Sequence, residues 1–504
     1  MIGIVAAVLA VAAGFWAVTR RGGAPPSAAA SGEKSLAVLP FSSVGGDTAN
    51  AYFAEGIADE LTTALARLPG LRLAGRSSAA RYKEQNAGAQ EIGKALGVGA
   101  VLDGTVRRAG DRIRVAAELT SAADGRLIWR ESYEREARDV FAVQDDITRA
   151  IVGALQVQLT GGPSASGPNA TSQGTTNLEA YDLYLRGLQG YRKRGSDLVH
   201  AERYLERAIA LDSGFARAYA TLASVLMVKP YYFDVTMAAT IPRARAAAVR
   251  AVGLDDGLAE AHLALGHVHT EAFEWKDAEA ELRRAMALDP NRAEVPFRLG
   301  FMLLTSGRVQ ESIVAFERAK TLDPFYSMPA VYLAWSLALA GRDTEAEAEA
   351  RRALDLDPTN EAIANIHGRV LSMAGNAEEA VAFARARIAV TTNVRRLAFH
   401  GSVLAVSGAA DDARAILRRV ESLPSGTWGR NSSLLYLYLA LGDTARALDA
   451  LERAAASDGD LVLAQAISMP LFDRIRANQR FAVAMRRFNL DVPRVTAPDG
   501  GRSR

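Results

Sequence analysis

Three Leu-Asp-Pro triplets stand at equal spacing in the second half of the sequence. Their prolines, Pro290, Pro324 and Pro358, are 34 residues apart. Self-similarity at a fixed period indicates a chain built from stacked copies of one supersecondary unit. A single unit cannot bury its own apolar face, so such a chain must fold as an array in which each copy packs on its neighbours.

The same period governs the small residues around the triplets. When Ala259, Ala293, Ser327 and Glu361 are taken as first positions, position 8 holds a glycine or an alanine in every copy. Small residues there allow two helices to approach closely. Position 27 is alanine in three copies, but the fourth copy departs from the pattern with Arg387. Position 15 is Gly307, Gly341 and Gly375 in the last three copies, which predicts a turn that requires a positive φ.

This pattern resembles tetratricopeptide (TPR) repeats, in which each unit is a hairpin of two helices. We therefore expect an all-α TPR solenoid of about eight repeats over residues 178–456. The flanking segments read as a low-complexity linker over 160–177, capping helices over 457–490 and a disordered tail over 491–504.

Residues 35–159 have a different pattern, in which short apolar runs alternate with amphipathic stretches. SLAVLPF and LRLAGR read as buried strands, each followed by a helix, and three strands with alternating polarity then precede a last helix. The predicted order is β-α-β-α-β-β-β-α, a small α/β domain with a mixed sheet.

Five blocks of this region, SLAVLPF, YFAEGIADEL, EIGKALGVGAVLDGTVRRAGDRIRV, LIWRESYER and FAVQDDI, resemble the TolB-amino-terminal-like domain. In that family the domain often lies between a membrane helix and TPR repeats. It is commonly joined to a serine/threonine kinase, a nucleotide cyclase or a winged-helix DNA-binding domain. The resemblance implies a body outside the cytoplasm, as in the membrane-anchored part of bacterial receptor-type kinases.

Residues 2–18 form an uncharged apolar run that ends at Arg20 and Arg21. We expect one transmembrane helix over residues 1–19, followed by a flexible spacer over 20–34. A cleaved signal peptide is the alternative, because small residues around Ala28 offer a cleavage site. The two arginines follow the apolar run, and by the positive-inside rule they favour a cytoplasmic location for the main body of the chain. The family resemblance favours the opposite side of the membrane. The expected location is the bacterial inner membrane, single-pass, with a periplasmic body.

Composition excludes several functions. The 59 Lys and Arg residues nearly balance the 57 Asp and Glu residues, which argues against nucleic-acid binding, and there is no cysteine for disulfides or thiolate chemistry. The sequence lacks the kinase motifs H-R-D and D-F-G and any glycine-rich nucleotide loop. His262, His267 and His269 do not share one helix face, so we expect no metal site. The sequence predicts no enzyme and no cofactor.

The candidate binding residues come from the inward-facing positions of the first helices. They are Phe297, Phe301, Leu304, Val331, Trp335, Asn365 and Arg369. The first five would present an apolar patch to a protein or peptide client. In the alternative interpretation they pack against neighbouring first helices and line a narrow, mostly closed groove. Asn365 and Arg369 could hold a peptide backbone or a carboxylate.

The sequence is compatible with two functions. The first is a membrane-anchored scaffold that binds a protein or peptide client. The second is the sensory or regulatory part of a signalling system linked to a kinase or cyclase, with the output domain absent from this chain. The identity of the client and the oligomeric state are left open.

Overall fold

The computed structural model combines a small N-terminal mixed sheet with a long array of helices. It describes residues 34–44, 51–66, 68, 70–109, 112–136, 140–160, 174–233, 235–457 and 461–490. The N-terminal elements, in chain order, are β1 (Lys34–Val38), β2 (Ser42–Ser43), α1 (Ala51–Ala66), β3 (Leu71–Leu73), α2 (Arg76–Glu84), α3 (Ala89–Leu96), β4 (Ala100–Ala109), β5 (Arg112–Ser121), β6 (Leu127–Glu136) and α4 (Val140–Thr160).

The sheet has the strand order β3-β1-β4-β5-β6, and β2 pairs with β4. β1 runs parallel to β3 and β4, with Ala37 opposite Val101, whereas β4, β5 and β6 are antiparallel. Parallel neighbours need a crossover, and the helices between β1, β3 and β4 provide it. Long antiparallel strands joined by short turns then complete the mixed sheet that the alternating pattern predicts.

The element order differs from the predicted one at two points. The two-residue strand β2 is too short to show an alternating pattern. The predicted second helix is also divided into α2 and α3, because Asn86 takes a left-handed φ of 52° and ends the first piece. Gly88, in extended conformation, then precedes the second piece.

Helices cover both faces of the sheet. α1 and α4 bury one face together with Leu36, Leu102 and Val115, while α2 and α3 cover Ala37 and Val101 on the other. The first core continues into the opening helix of the repeats. Gly56 of α1 lies so close to Leu185 that an added Cβ would fall 2.6 Å from its Cδ2 atom. The sheet domain and the repeats therefore share one hydrophobic core.

The repeats are consecutive helix hairpins. Their helices are α5 (Leu178–Lys193), α6 (Asp197–Leu211), α7 (Ala216–Val228), α8 (Met237–Leu254), α9 (Ala259–Glu271), α10 (Trp275–Leu288), α11 (Glu294–Thr305), α12 (Val309–Leu322), α13 (Ser327–Leu339), α14 (Asp343–Leu356), α15 (Glu361–Met373), α16 (Ala377–Ile388), α17 (Val394–Val406), α18 (Ala410–Glu421), α19 (Arg430–Leu441) and α20 (Thr444–Ser457).

These sixteen helices form eight hairpins of TPR type. The predicted turn glycines Gly307, Gly341 and Gly375 have φ values of 88°, 73° and 83°, which confirms the left-handed turn between paired helices. The small residue at position 8 permits close packing, since a Cβ added at Gly300 would lie 2.8 Å from the ring of Phe316. The 34-residue period thus sets both the turn and the helix contact.

The C-terminal segment returns to an earlier part of the array. It contains α21 (Leu461–Ala464), α22 (Asp473–Arg476) and α23 (Gln479–Arg486). It packs on α19 and α20, but the indole N–H of Trp275 also donates to the carbonyl oxygen of Phe488 at 3.0 Å. Ile467 lies against Gly307. The last six hairpins and this segment therefore close into a ring.

The predictions that concern the membrane require correction. The predicted membrane helix over residues 2–18 lies outside the described residues. Among the described helices, none is both long enough and apolar enough to cross a bilayer. Even the 21-residue α4 carries Asp146 and Arg149, and α8 carries three arginines. The fold class is therefore an α/β domain with a TPR-type solenoid, and the placement as a single-pass inner-membrane protein with a periplasmic body is not supported.

Candidate functional site

The inner surface of the array is formed by the first helices of the hairpins. Successive first helices contact one another, for example α13 with α15 and α15 with α17. In a solenoid of this type the helices with the closer mutual contacts lie on the concave side. The candidate site residues lie on three of them, α11, α13 and α15.

The five apolar candidates are covered by their neighbours. Phe297, Phe301, Leu304, Val331 and Trp335 each expose at most 6% of their surface. The ring of Tyr332 packs against two of them, since its centroid lies 5.9 Å from that of Phe297 and 5.1 Å from that of Phe301. These side chains form the floor beneath the inner surface, and their role in binding stays a prediction.

Asn365 and Arg369 remain partly exposed. They are four residues apart on α15 and therefore lie on one face of that helix. The guanidinium of Arg369 lies over three aromatic rings, at 5.4 Å from Trp335, 4.3 Å from Phe399 and 5.2 Å from Tyr436. These distances are those of cation–π contacts, which fix the orientation of the charged group.

A second arginine, Arg298 of α11, occupies the inner surface one hairpin away from Trp335. Its Nη1 atom is 3.1 Å from Nε2 of His267, and its guanidinium lies 5.5 Å from the ring of Phe297. Burial alone would lower the pKa of Arg298, but Tyr191 and Glu294 raise it above its ordinary value. Arg298 therefore carries a charge that the protein already balances.

Arg369 differs from Arg298 in its surroundings. Burial lowers the pKa of Arg369, and the groups that oppose this shift are the hydroxyls of Tyr436 and Tyr332 rather than a carboxylate. Its Nη2 atom has no hydrogen-bond partner among the described residues. A buried guanidinium nitrogen normally has a partner. The buried Nη2 atom of Arg369 is therefore a hydrogen-bond donor without an acceptor in the described part of the chain.

The three clustered histidines have separate partners. His262 contacts Glu281 and His267 contacts Arg298, and within the described residues only His269 approaches a group of possible metal ligands. The ligand atoms of His269, Glu274 and Asp277 lie within 4.8 Å of one another. However, the guanidinium of Arg245 already donates to both oxygens of Glu274 at 2.9 Å. A cationic side chain therefore occupies the position that a metal ion would need.

Some polar residues near Arg369 were not among the sequence candidates. His367 and His400 expose 3% and 0% of their surface, and Phe383 lies between their rings. The sequence contained one sign of this cluster, which was Arg387 at a position that is alanine in the three preceding copies. His367 and His400 could not be identified from the sequence, because a lone histidine on a helix is usually a packed core residue.

Comparison with known proteins finds a family model and a relative that each match part of this chain. The model of a family described as "HilA/YgeH-like transcriptional regulator, second domain" matches residues 32–150. A protein of Rhizobium meliloti (strain 1021) named "Putative adenylate cyclase 3" is 37% identical over 219 residues. That match covers 42% of this chain and 37% of the relative, so it spans little more than a third of the relative's length.

Solved structures also match this chain. A tetratricopeptide repeat protein from Parabacteroides merdae ATCC 43184 is 13% identical, with a TM-score of 0.38, and the match covers 52% of this chain and 99% of that one. Yeast Tom70 is 15% identical, also with a TM-score of 0.38, and the match covers 68% and 78% of the two chains. The resemblance of the N-terminal domain to the TolB-amino-terminal-like family stays a prediction.

Proposed function

We propose that this chain is a binding scaffold, not an enzyme, and that it holds a protein or peptide client on the concave surface of its repeats. The observation that carries this proposal is the side chain of Arg369, a partly exposed residue whose guanidinium is held by three aromatic rings and whose buried Nη2 atom has no partner among the described residues. Peptides offer backbone carbonyls and carboxylates, which are the acceptors that such a nitrogen binds.

The surroundings of Arg369 fit an extended ligand. Asn365, Tyr332 and Arg298 are also partly exposed on the first helices. They provide hydroxyl, amide and guanidinium groups at intervals along the array, over a floor of buried aromatic rings. Because the floor is closely packed, these groups are held in fixed positions before a client arrives, which reduces the entropic cost of binding.

The floor residues themselves are poor targets for mutation. Phe301 and Trp335 are 6% and 2% exposed, and truncating a buried aromatic side chain to alanine costs about 3–5 kcal/mol. Loss of binding in such a variant would report unfolding rather than loss of a contact. A test must therefore use positions whose side chains already reach the surface.

Site-specific photo-crosslinking meets this requirement. Peptides that bind the purified chain are first selected from a random display library. A photoreactive phenylalanine is then placed either at Tyr332, on the inner surface, or at Val314, which is 66% exposed on the second helix of its hairpin. We expect the selected peptides to crosslink at position 332 and not at position 314.

Unfolding of the Tyr332 variant is checked by circular dichroism, and the aromatic replacement keeps most of the ring contacts. The proposal fails if no peptide can be selected, or if selected peptides crosslink at position 314 as strongly as at position 332. An Arg369→Gln variant adds a second criterion, since it should weaken binding of the same peptides by about tenfold or more.

A second candidate function is regulation of a signalling output. Its support is the 37% identity to a protein named as a cyclase, together with the match of the N-terminal region to a domain of transcriptional regulators. The predicted TolB-like resemblance agrees with the same role. In this proposal the shared region responds to a bound client and passes the change to a partner domain.

A chimera would test this candidate. The region of the Rhizobium meliloti relative that matches this chain is replaced by the corresponding region of this chain, and formation of cyclic AMP is measured with and without a selected peptide. A change in rate on addition of peptide supports regulation. An active chimera whose rate is indifferent to a peptide that it binds would exclude it.

A further inference from the structure

Unpartnered polar atoms are concentrated in the sixth and seventh hairpins. Between Glu361 and His400, seven buried side-chain nitrogen and oxygen atoms make no hydrogen bond within the described part of the chain. They are Glu361 Oε2, Asn365 Oδ1, His367 Nδ1, Arg369 Nη2, Arg387 Nε and both ring nitrogens of His400. Nearly all buried polar groups in native proteins are paired, so a cluster of this size indicates a ligand.

These groups belong to three helices that face one another. Glu361, Asn365 and Arg369 are spaced by four residues and line one face of α15. Arg396 and His400 have the same spacing on α17, which contacts α15, and Arg387 comes from α16. Nδ1 of His400 lies 3.9 Å from the point where a Cβ on Gly368 would be, which places this ring directly against α15.

The charge in the cluster is unbalanced. Arg387 forms an ion pair with Glu361, and Arg396 approaches the same carboxylate at 4.0 Å. Arg369 has no carboxylate partner among the described ion pairs. The cluster therefore contains three guanidinium groups and one carboxylate, of which Arg387 and Arg396 pair with the carboxylate and Arg369 does not. Leaving a charge unpaired away from water is costly.

The neutral histidine fits this interpretation. Burial and the charges of Arg387, Arg369 and Arg396 lower the pKa of His400 to about 4. A neutral imidazole offers one donor and one acceptor. The cluster thus presents three guanidinium groups, one imidazole N–H, the amide of Asn365 and the carboxylate of Glu361, so its net charge is positive.

We propose that this cluster is an anion-binding pocket that takes one carboxylate or phosphate group, with Asn365 and Arg369 at the entrance and His400 and Arg387 at its base. Guanidinium groups bind both kinds of oxyanion with charge-assisted hydrogen bonds. Either a free small molecule or an acidic group of a client carries this chemistry. The proposal goes beyond the binding of a client, because a free anion would occupy the pocket even if no peptide binds.

The repeat pattern supplies a suitable variant. Arg387 stands at position 27, where the three preceding copies have Ala285, Ala319 and Ala353, so Arg387→Ala restores a residue that this packing position accommodates. Arg385 of the same helix is the matched control, because it is exposed and pairs with Asp412. Both substitutions remove one positive charge, and only the first alters the pocket.

Binding is measured by calorimetry with inorganic phosphate and separately with acetate, against chloride at the same ionic strength. We expect phosphate or acetate to bind the wild type and Arg385→Ala equally, and Arg387→Ala at least about tenfold more weakly. Response to both anions would indicate a site of carboxylate size, and response to phosphate alone a phosphate site. Absence of binding to the wild type, or equal binding by Arg387→Ala, would show that water alone fills the cluster and would overturn the proposal.

A spectroscopic measurement keeps the test valid if Arg387→Ala does not fold. In the wild type labelled with ¹⁵N-histidine, the His400 resonances are assigned by their loss in His400→Gln, and they should shift when the anion is added. Unchanged His400 resonances at saturating phosphate and acetate would also overturn the proposal. Competition between phosphate and a selected acidic peptide would identify the client as the natural source of the anion, and lack of competition would identify a free small molecule.

Discussion

At the scale of single residues, His400 links the pocket to the pH dependence of stability. Its pKa is lowered to about 4 by burial and by Arg387, Arg369 and Arg396, against 6.5 for an ordinary histidine. Between these values the unfolded chain binds a proton at this position and the folded chain does not. The free energy of unfolding therefore falls as the pH falls from 6.5 towards 4, and the contribution of His400 is fully present above pH 6.5.

The first prediction follows from this shift. Lowering the pH from about 7 to about 4.5 should cost the wild type up to roughly 3 kcal/mol of unfolding free energy through His400 alone. Urea unfolding of the wild type and of His400→Gln across this range measures the difference, because other titrating groups are common to both. His200→Gln, at an exposed position, should behave like the wild type. Parallel pH profiles for the wild type and His400→Gln would contradict the assigned shift.

At the scale of elements, the turn of the third hairpin departs from the others. Position 15 is glycine in the next three hairpins, but here it is Phe273, with a φ of 61°. A non-glycine residue in this conformation costs about 1–2 kcal/mol. Two contacts hold Phe273 in this conformation. The centroid of its aromatic side chain lies 4.9 Å from that of Phe488, and its carbonyl oxygen accepts a hydrogen bond from Asn489. The strained residue Phe273 therefore lies where the third hairpin contacts the C-terminal segment and closes the ring of hairpins.

The second prediction concerns this closure. Phe273→Gly should relieve the strained backbone but release the C-terminal segment, so that amide exchange in Gln479–Arg486 becomes faster by about tenfold or more. Exchange in Ala410–Glu421, which is remote from the turn, serves as the reference within the same sample. Trp275→Phe, which removes the indole hydrogen bonds to the carbonyl oxygens of Phe488 and Asn489 but keeps an aromatic ring, should produce a smaller change in the same helix. Unaltered exchange in both variants would show that the C-terminal segment is held without this turn.

The contact that closes the ring of hairpins could not be predicted from the sequence. The 34-residue period gave the hairpins and their turn glycines, because these depend on contacts between residues close in the chain. The contact between Trp275 and Phe488 joins residues more than two hundred positions apart, and no periodic pattern reports it. In the same way, the repeat register indicated which residues of a first helix point inward. It did not indicate that Tyr332 covers Phe297 and Phe301, nor that His400 completes a polar cluster with Arg387.

At the scale of the whole molecule, one Leu-Asp-Pro aspartate joins the two parts of the chain. Asp289 pairs with Arg292 in its own turn, and Asp357 accepts from Asn360 in the same way. Asp323 instead accepts hydrogen bonds from the backbone N–H groups of Ser77 and Ser78, at 2.8 Å and 2.9 Å, and from the Ser78 hydroxyl at 2.6 Å. A carboxylate at the first turn of α2 satisfies donors that the helix itself leaves unpaired.

The fit around this contact is close. A Cβ added at Gly75 would lie 2.3 Å from Cβ of Asp323, so only glycine allows the approach. Phe325 packs edge-on against Tyr82 at 5.7 Å, and the Asn291 amide donates to the carbonyl oxygen of Leu71 at 3.1 Å. The loops between hairpins therefore hold the α/β domain in one orientation on the solenoid. A change in the solenoid on client binding would reach the sheet domain through these loops.

The third prediction tests this coupling in the full chain. Asp323→Ala should destabilise the protein by about 1–3 kcal/mol, since it leaves buried N–H groups of α2 without an acceptor. Asp357→Ala removes the equivalent aspartate, whose side chain bonds within its own turn and makes no hydrogen bond to the described part of the α/β domain, and should cost less. Amide exchange in Arg76–Glu84 should accelerate only in the first variant. Combining Asp323→Ala with Ser78→Ala should cost less than the sum of the two single changes, because both remove the same hydrogen bond. Strict additivity, or equal destabilisation by the two aspartate variants, would mean that Asp323 serves only its own turn and that the two parts of the chain are coupled elsewhere.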